Sequence, residues 1–269
     1  MVKILIFDIN ANYGCFKKFY TTSSILTYDI PPKTSLIGLI CSILGYERNS
    51  DKIIELSNIK IGILILNPVN KIHQGINWLN TKVKSIKLEA KVSKFLDPIS
   101  EYSVKDFYGF IGLNKNKPSN LQLLKNPKFR LFVSDENFED FEKLVESIKN
   151  HQYEYSPYLG QSEFLCSIMY IDEIDSDLKK SDDKPKKLPI NSVIPQSYIL
   201  KDKNENYELD ISEDSSIIAE QMPLKYERDI TKFHKVIYDK SGNAILARVK
   251  EFYEISSPQF KQEYNIILF

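Results

Sequence analysis

Lys17, Lys18 and Lys33 stand in one stretch, residues 12–35, with the hydroxyl run Thr21, Thr22, Ser23, Ser24 and the rings of Tyr13, Phe16, Tyr20 and Tyr28. Each residue type suits a flexible polyanion with exposed bases. Ammonium heads neutralise phosphates, and hydroxyls donate to phosphate oxygens or to a ribose 2′-hydroxyl. Rings stack on bases for about 1–3 kcal/mol each. Downstream, Thr34 and Ser35 open an apolar helical pattern whose first N–H groups would add an anion site. The competing reading is a polar surface loop in which Phe16 and Tyr28 are buried anchors.

The elements that must position these groups follow from periodicity. Residues 2–9, VKILIFDI, predict a buried strand. Pro31 and Pro32 cannot lie within a helix, but Thr34 or Ser35 can cap one. Leu36, Leu39, Ile40, Ile43 and Leu44 mark its inner face, and Gly45 ends it. Gly38 in mid-helix costs about 1 kcal/mol relative to Ala, which predicts a close approach to the backbone there. Further strands are predicted over 59–67, 127–133 and 164–171, and an amphipathic helix over 136–150 with Phe138, Phe141, Leu144, Val145 and Ile148 inward. The order is β-α-β-β-α-β, an α+β, ferredoxin-like pattern on which RNA-recognition (RRM-like) domains are also built.

Residues 67–126 form a Lys- and Asn-rich insertion in that core, with Lys82 and Lys84 near its middle and an alternation that suggests a projecting hairpin. Those lysines are candidates to follow a nucleic-acid strand, against the plainer reading of a solvated surface. Residues 1–172 are thus read as the core with its insertion, and the charged, Pro-bearing residues 173–197 as a linker or mobile loop. Residues 198–269 suggest a small antiparallel β-rich subdomain. No internal repeat is visible in the sequence, and two ferredoxin-like halves remain an open alternative.

The chain carries 36 Lys/Arg and 36 Asp/Glu. Residues 1–130 hold 19 of the cations against 9 acids, and residues 131–269 hold the other 17 against 27. Such a split points to one part that binds a polyanion and one that avoids it. Only four of the cations are arginine, which favours phosphate holding over duplex readout. No apolar run reaches the roughly 18–20 residues that cross a bilayer. The opening MVKILIFDIN is interrupted by Asp8 and Asn10, so it reads as a strand and not a leader. Cys15, Cys41 and Cys166 are odd in number and far apart, which fits free thiols in a reducing cytoplasm. Phosphate-loop, metal-spaced His and Gly-x-Ser-x-Gly patterns are missing, so no cofactor, metal or small-molecule substrate is expected. His73, with Lys71 or Lys82, is the one speculative acid–base pair; His151 and His234 lie in no compelling motif.

Taken in chain order, Phe16-Lys17-Lys18, TYDIPPKTSLIGLICSILG at 27–45, NPKFRLFV at 126–133 and YSPYLGQSEFL at 155–165 give a resemblance. The chain resembles the fifth CRISPR-associated (Cas) protein family, of the RAMP superfamily, and looks closest to subtype I-B members. The similarity covers residues 1–172 well and the tail loosely. It implies a ferredoxin-like core, a β thumb inserted after the second strand, and a C-terminal β-rich part. It also implies a non-catalytic subunit of a type I effector complex (Cascade), binding the 5′ handle of the CRISPR RNA and contacting the backbone and large subunits in antiviral defence. One branch of the family cuts precursor RNA, so a metal-independent endoribonuclease is the alternative. A purely structural adaptor is the third. Tyr158 and Gly160, ahead of the fourth predicted strand, join the candidate RNA contacts, as does Gly38; for Gly160 a simple turn is the competing reading.

Overall fold

The computed structural model describes residues 1–21, 24–47, 50–79, 116–136, 138–180, 187–211, 215–227, 230–260 and 262–269. Strand β1 (Val2–Asn10) is followed by the short β2 (Tyr13–Gly14), helix α1 (Lys33–Leu44), helix α2 (Asp51–Leu56) and β3 (Ile61–Ile65). Strands β4 (Asn70–Leu79) and β5 (Asn116–Lys125) belong to the insertion. Then come β6 (Lys128–Ser134), helix α3 (Phe141–Lys149) and β7 (Ser167–Ser176). The tail adds β8 (Leu178–Lys180), β9 (Leu188–Ile190), β10 (Ile194–Pro195), β11 (Ile217–Glu227), β12 (Ile230–Asp239), β13 (Ile245–Ala247), β14 (Glu251–Ile255) and β15 (Tyr264–Ile266).

β1 is apolar from Ile4 to Phe7 because both its faces are buried there, and the one charge farther along the buried part, Asp8, is paired. It pairs antiparallel with β6 and β7, and β3 pairs with β6, giving the order β3-β6-β1-β7. Alternation sends Leu5, Phe7 and Ile9 toward the core shared with α1 and α3. Ile4 and Ile6 go to the other face, where Tyr253, Ile255, Ile266 and Leu268 cover them together with Leu64 and Phe132. The sheet therefore has helices on one side and tail strands on the other. On it sits a buried bidentate pair, Arg130 Nε to Asp8 Oδ1 at 2.7 Å and Arg130 Nη2 to Asp8 Oδ2 at 3.0 Å. The Arg130 guanidinium lies over the Phe260 ring at 4.8 Å.

Several boundaries differ from expectation for local reasons. Helix α1 starts at Lys33 with Pro32 in the cap position, so Thr34 and Ser35 fall inside its first turn and cap nothing. Proline suits that site because its fixed φ matches and its missing N–H has no partner to lose there. Gly45 ends α1 at φ +80°, as expected. Gly38 is exposed, and a Cβ on it would meet nothing within 4 Å, so no described residue makes the predicted close approach. The predicted helix over 136–150 is shorter, with Phe138 packed just ahead of α3. Strand β7 begins three residues late because Phe164 is held in a turn by Gln161.

The insertion starts as a ribbon, β4 paired with β5 from Asn70↔Lys125 to Leu79↔Asn116. Lys82 and Lys84 lie outside the described residues. The linker expected over 173–197 is corrected at both ends, its middle, 181–186, lying outside the described residues: 173–176 continue β7, β8 follows, and Ile190, Val193 and Ile194, in β9, β10 and the turn between them, are in the core. The apolar LPINSVIP resists the disorder that the neighbouring charge run suggested. The tail is divided among three sheets, β10-β12-β11, β13-β9 and β15-β14-β8, where one small sheet was expected. Its end is joined to the central sheet by reciprocal bonds, Ile61 N to Phe269 O at 3.1 Å and Phe269 N to Ile61 O at 3.2 Å.

Candidate nucleic-acid interface

The segment after β1 is fastened on three sides. Tyr13 and Gly14 pair with Lys125 and Leu124 of β5. The chain then doubles back on itself: Lys18 N donates to Leu26 O and Tyr28 N to Phe16 O, both at 2.9 Å, and Phe16 N donates to Thr27 Oγ1 at 2.9 Å. Ile25 N donates to Asn120 O and Gln122 N to Ile25 O, which docks the returning arm on β5. The third attachment is to residues 158–165, where Cys15 N donates to Leu159 O at 3.0 Å. Gly160 has φ +88°, and a Cβ there would stand 1.9 Å from the Cys15 carbonyl oxygen. This glycine does permit a close backbone approach, but the approaching backbone is the protein's own.

The predicted contact residues divide sharply. Lys17, Tyr13, Tyr20 and Tyr158 face solvent, the three tyrosines being 41%, 58% and 41% exposed. Phe16 and Tyr28 are buried at 3% and 1%, so they are anchors and stack on nothing outside the protein. Thr21 is buried and donates its hydroxyl to Lys18 O at 2.9 Å. Lys33, like Pro31 and Pro32, is buried, so the N-terminus of α1 is packed inside and only Thr34 and Ser35 are half-exposed.

Lys18 is corrected from a phosphate ligand to an internal ion: it pairs with Glu220 of β11 and lies 5.5 Å from the Tyr28 ring centre. Burial opposes its charged form, but the hydrogen bond and charge of Glu220, with Tyr20, outweigh it and hold the ammonium above the usual lysine range. Glu220 also accepts from Tyr238 Oη at 3.0 Å. Nearby, the buried Asp29 carboxylate pairs with Lys71 of β4 and, at 3.2 Å, with Lys240. Burial alone would raise its pKa; Lys71 and Lys240 overcome this and lower it. Both pairs tie the loop to the rest of the molecule, Glu220 and Lys240 from the tail and Lys71 from the ribbon.

Two features escaped the sequence reading. Phe19 is 58% exposed and its ring lies 4.4 Å from that of Phe233 on β12 and 5.2 Å from Tyr20. Phe19 could have been found beside its neighbours, but nothing local pairs it with Phe233, and the exposed His234 and Lys235 arrive with that strand. The second is a polar cleft of about 470 Å³ at the ribbon, lined by Ser24, Gly75, Asn77, Pro118, Ser119 and Asn120 among others. On another part of the surface, between α2 and the approach to α3, a cleft of about 780 Å³ is lined by Lys52, Glu55, Glu139 and Asp140, a poor lining for a polyanion.

Of the two speculative acid–base pairings of His73, the one with Lys71 is not assembled, and Lys82 lies outside the described residues. His73 is exposed with its Nε2 at 3.3 Å from Gln122 Nε2, while Lys71 is committed to Asp29 and to Thr27 O. His151 Nδ1 lies 3.1 Å from Tyr153 Oη at the surface. Among the described residues no group of three or more His, Cys, Asp or Glu could hold a metal ion. The three cysteines are free, and burial pushes the Cys15 thiol up to about 11. No helix of the described residues is long and apolar enough to cross a membrane.

A strand-rich mixed α/β protein with a loop that exposes Lys17 and several aromatic rings is the class these features define. The family model described as CRISPR-associated protein (Cas_Cas5) matches residues 4–237, and the chain belongs to that family. A CRISPR protein from Archaeoglobus fulgidus shares the mixed α/β fold at 14% identity, with a TM-score of 0.52 and 99% of each chain covered. A chain of a CRISPR RNA-guided surveillance complex aligns at 10% identity and a TM-score of 0.48, over 92% of this chain and 91% of that one. No curated protein matches the sequence.

Proposed function

We propose that the protein is an RNA-binding subunit of a type I CRISPR effector complex that holds the 5′ handle of the CRISPR RNA and contacts the backbone and large subunits. Residues 1–172 are then a ferredoxin-like core with an inserted thumb over 67–126, and the tail braces that core. The strand order β3-β6-β1-β7 with α1 and α3 on one face supports this division. Because tail strands cover the other face of the sheet, RNA is held by the loops beside the sheet and not across it.

One observation carries the reading. Lys17 and the rings of Tyr13, Tyr20 and Tyr158 are all exposed on backbone fixed by neighbouring elements, so phosphate and base contacts cost little ordering entropy. The protein acts as a binding subunit and not a nuclease, in the cytoplasm where its thiols stay reduced. Calorimetric titration with handle RNA at several salt concentrations tests this: a sub-micromolar, salt-dependent complex is expected, weakened by Lys17→Ala. Absence of measurable affinity would sink the proposal.

A further inference from the structure

We propose that Phe19, Tyr20 and Phe233 form a stacking platform for unpaired nucleobases, built jointly by the loop and the tail hairpin and set in place by the Lys18–Glu220 ion pair. It rests on the RNA-binding reading above and adds the part of the ligand that phosphate contacts leave unread.

Two adjacent rings exposed at 58% each are an unfavourable surface unless something covers them. They are not loose. Phe19 meets Tyr20 edge-on at 89° and meets Phe233 at 47° and 4.4 Å, so its ring is held by a neighbour on each side. Lys18, between the buried Phe16–Tyr28 layer and these rings, is anchored on Glu220, whose second oxygen accepts from Tyr238. The Glu220 carboxylate is thereby paired on both oxygens. By strand alternation the exposed Lys235, two residues after Phe233, shares its face, and the exposed Lys17 stands two residues before Phe19.

That arrangement selects its occupant. A contiguous set of rings with the exposed Lys17 and Lys235 close by in sequence matches a chain that alternates flat π-faces with phosphates. Protein interfaces of ordinary size cover roughly 800 Å² per partner and mix aliphatic side chains into their centres. Among the described residues the ring contacts of Phe19 are with Tyr20 and Phe233.

The test uses the full chain, a single-stranded oligoadenylate and a strand of the same length made of abasic ribose-phosphates. Phe19→Leu and Phe233→Leu keep apolar bulk but remove the π-face. Each is expected to weaken oligoadenylate binding about 5- to 150-fold, leave abasic binding unchanged, and leave the salt slope unchanged. Phe233→Trp restores affinity. Glu220→Gln removes a negative charge, which by charge alone would tighten binding; as a positioning residue it weakens oligoadenylate binding instead. Equal losses on both strands, or none, overturn the platform, as does normal RNA affinity with failed assembly onto a protein subunit. If the wild type binds oligoadenylate and abasic strands equally well, the platform alone falls. If it binds neither strand nor handle RNA, the RNA-binding reading falls with it.

Discussion

The two arms of the loop between β1 and α1 have similar compositions and opposite fates. The outgoing arm, 13–20, presents Tyr13, Lys17, Phe19 and Tyr20 to solvent. The returning arm, 27–33, buries Thr27, Tyr28, Asp29, Ile30, Pro31, Pro32 and Lys33 without exception. Both arms touch β5 and the tail, but the returning arm leads into α1 and is covered at every residue from 27 to 33, while the outgoing arm mixes covered and exposed side chains. Even within one arm, Lys17 faces water and Lys18 faces Glu220. A lysine in such a loop is thus solvent-facing or a structural ion according to strand alternation, and its type alone does not say which.

The comparison can be broken most severely at Gly160. Gly160→Ala places a methyl group against the Cys15 carbonyl in a left-handed backbone and should cost at least about 3 kcal/mol, read as a loss of thermal midpoint with the outgoing arm detached from 158–165. An unchanged midpoint would mean that this contact does not hold the arm. Next come the twin substitutions. Lys18→Met strands Glu220 and should destabilise by about 3 kcal/mol, whereas Lys17→Met should stay within about 0.5 kcal/mol. In RNA titrations Lys17→Met lowers the slope of log affinity against log salt by about one. Equal effects on stability would erase the distinction between the two lysines.

Asp29 sharpens the returning arm through pH. Its folded pKa is lowered below the ordinary 3.8, so its contribution is present above that value and is lost as pH falls through the folded pKa. Denaturation monitored from about pH 5 to pH 2 should show a smaller fall for Asp29→Asn than for wild type, starting from a lower midpoint at neutral pH. A smaller effect is expected at Tyr28, whose buried hydroxyl makes no hydrogen bond, the Phe19 amide lying near it without bonding geometry. Tyr28→Phe should leave stability unchanged or raise it by up to about 1 kcal/mol, whereas a clear loss would reveal a partner. Finally, CRISPR repeat RNA incubated with the protein in EDTA should remain intact on a denaturing gel; cleavage at one defined site would assign His73 or another base a catalytic role.

Much of the scaffold was legible. The apolar-rich VKILIFDI, the i, i+3, i+4 spacing from Leu36 to Leu44 and the inward face of α3 each carry their own signal, because burial on a strand or helix repeats with the period of the backbone. The site was legible only as a neighbourhood. Residues 12–35 were singled out, yet Phe16, Lys18, Thr21, Tyr28 and Lys33 point inward or to internal partners, and Phe19 was passed over. The opposite charges of the two halves also found a second use: Lys3 meets Glu142 and Glu173, Lys18 meets Glu220, and Lys60 meets Glu136, so part of the imbalance is internal pairing.

Local pattern alone determined that this chain has a doubly buried first strand, an apolar helix closed by Gly45 and a basic, ring-rich loop between them, since periodicity and turn chemistry act over a few residues. Only the tertiary structure decided which rings and lysines of that loop reach water. That outcome depends on Glu220, Phe233, Lys240 and Leu159, which come from far along the chain and meet the loop because long-range packing brings them there.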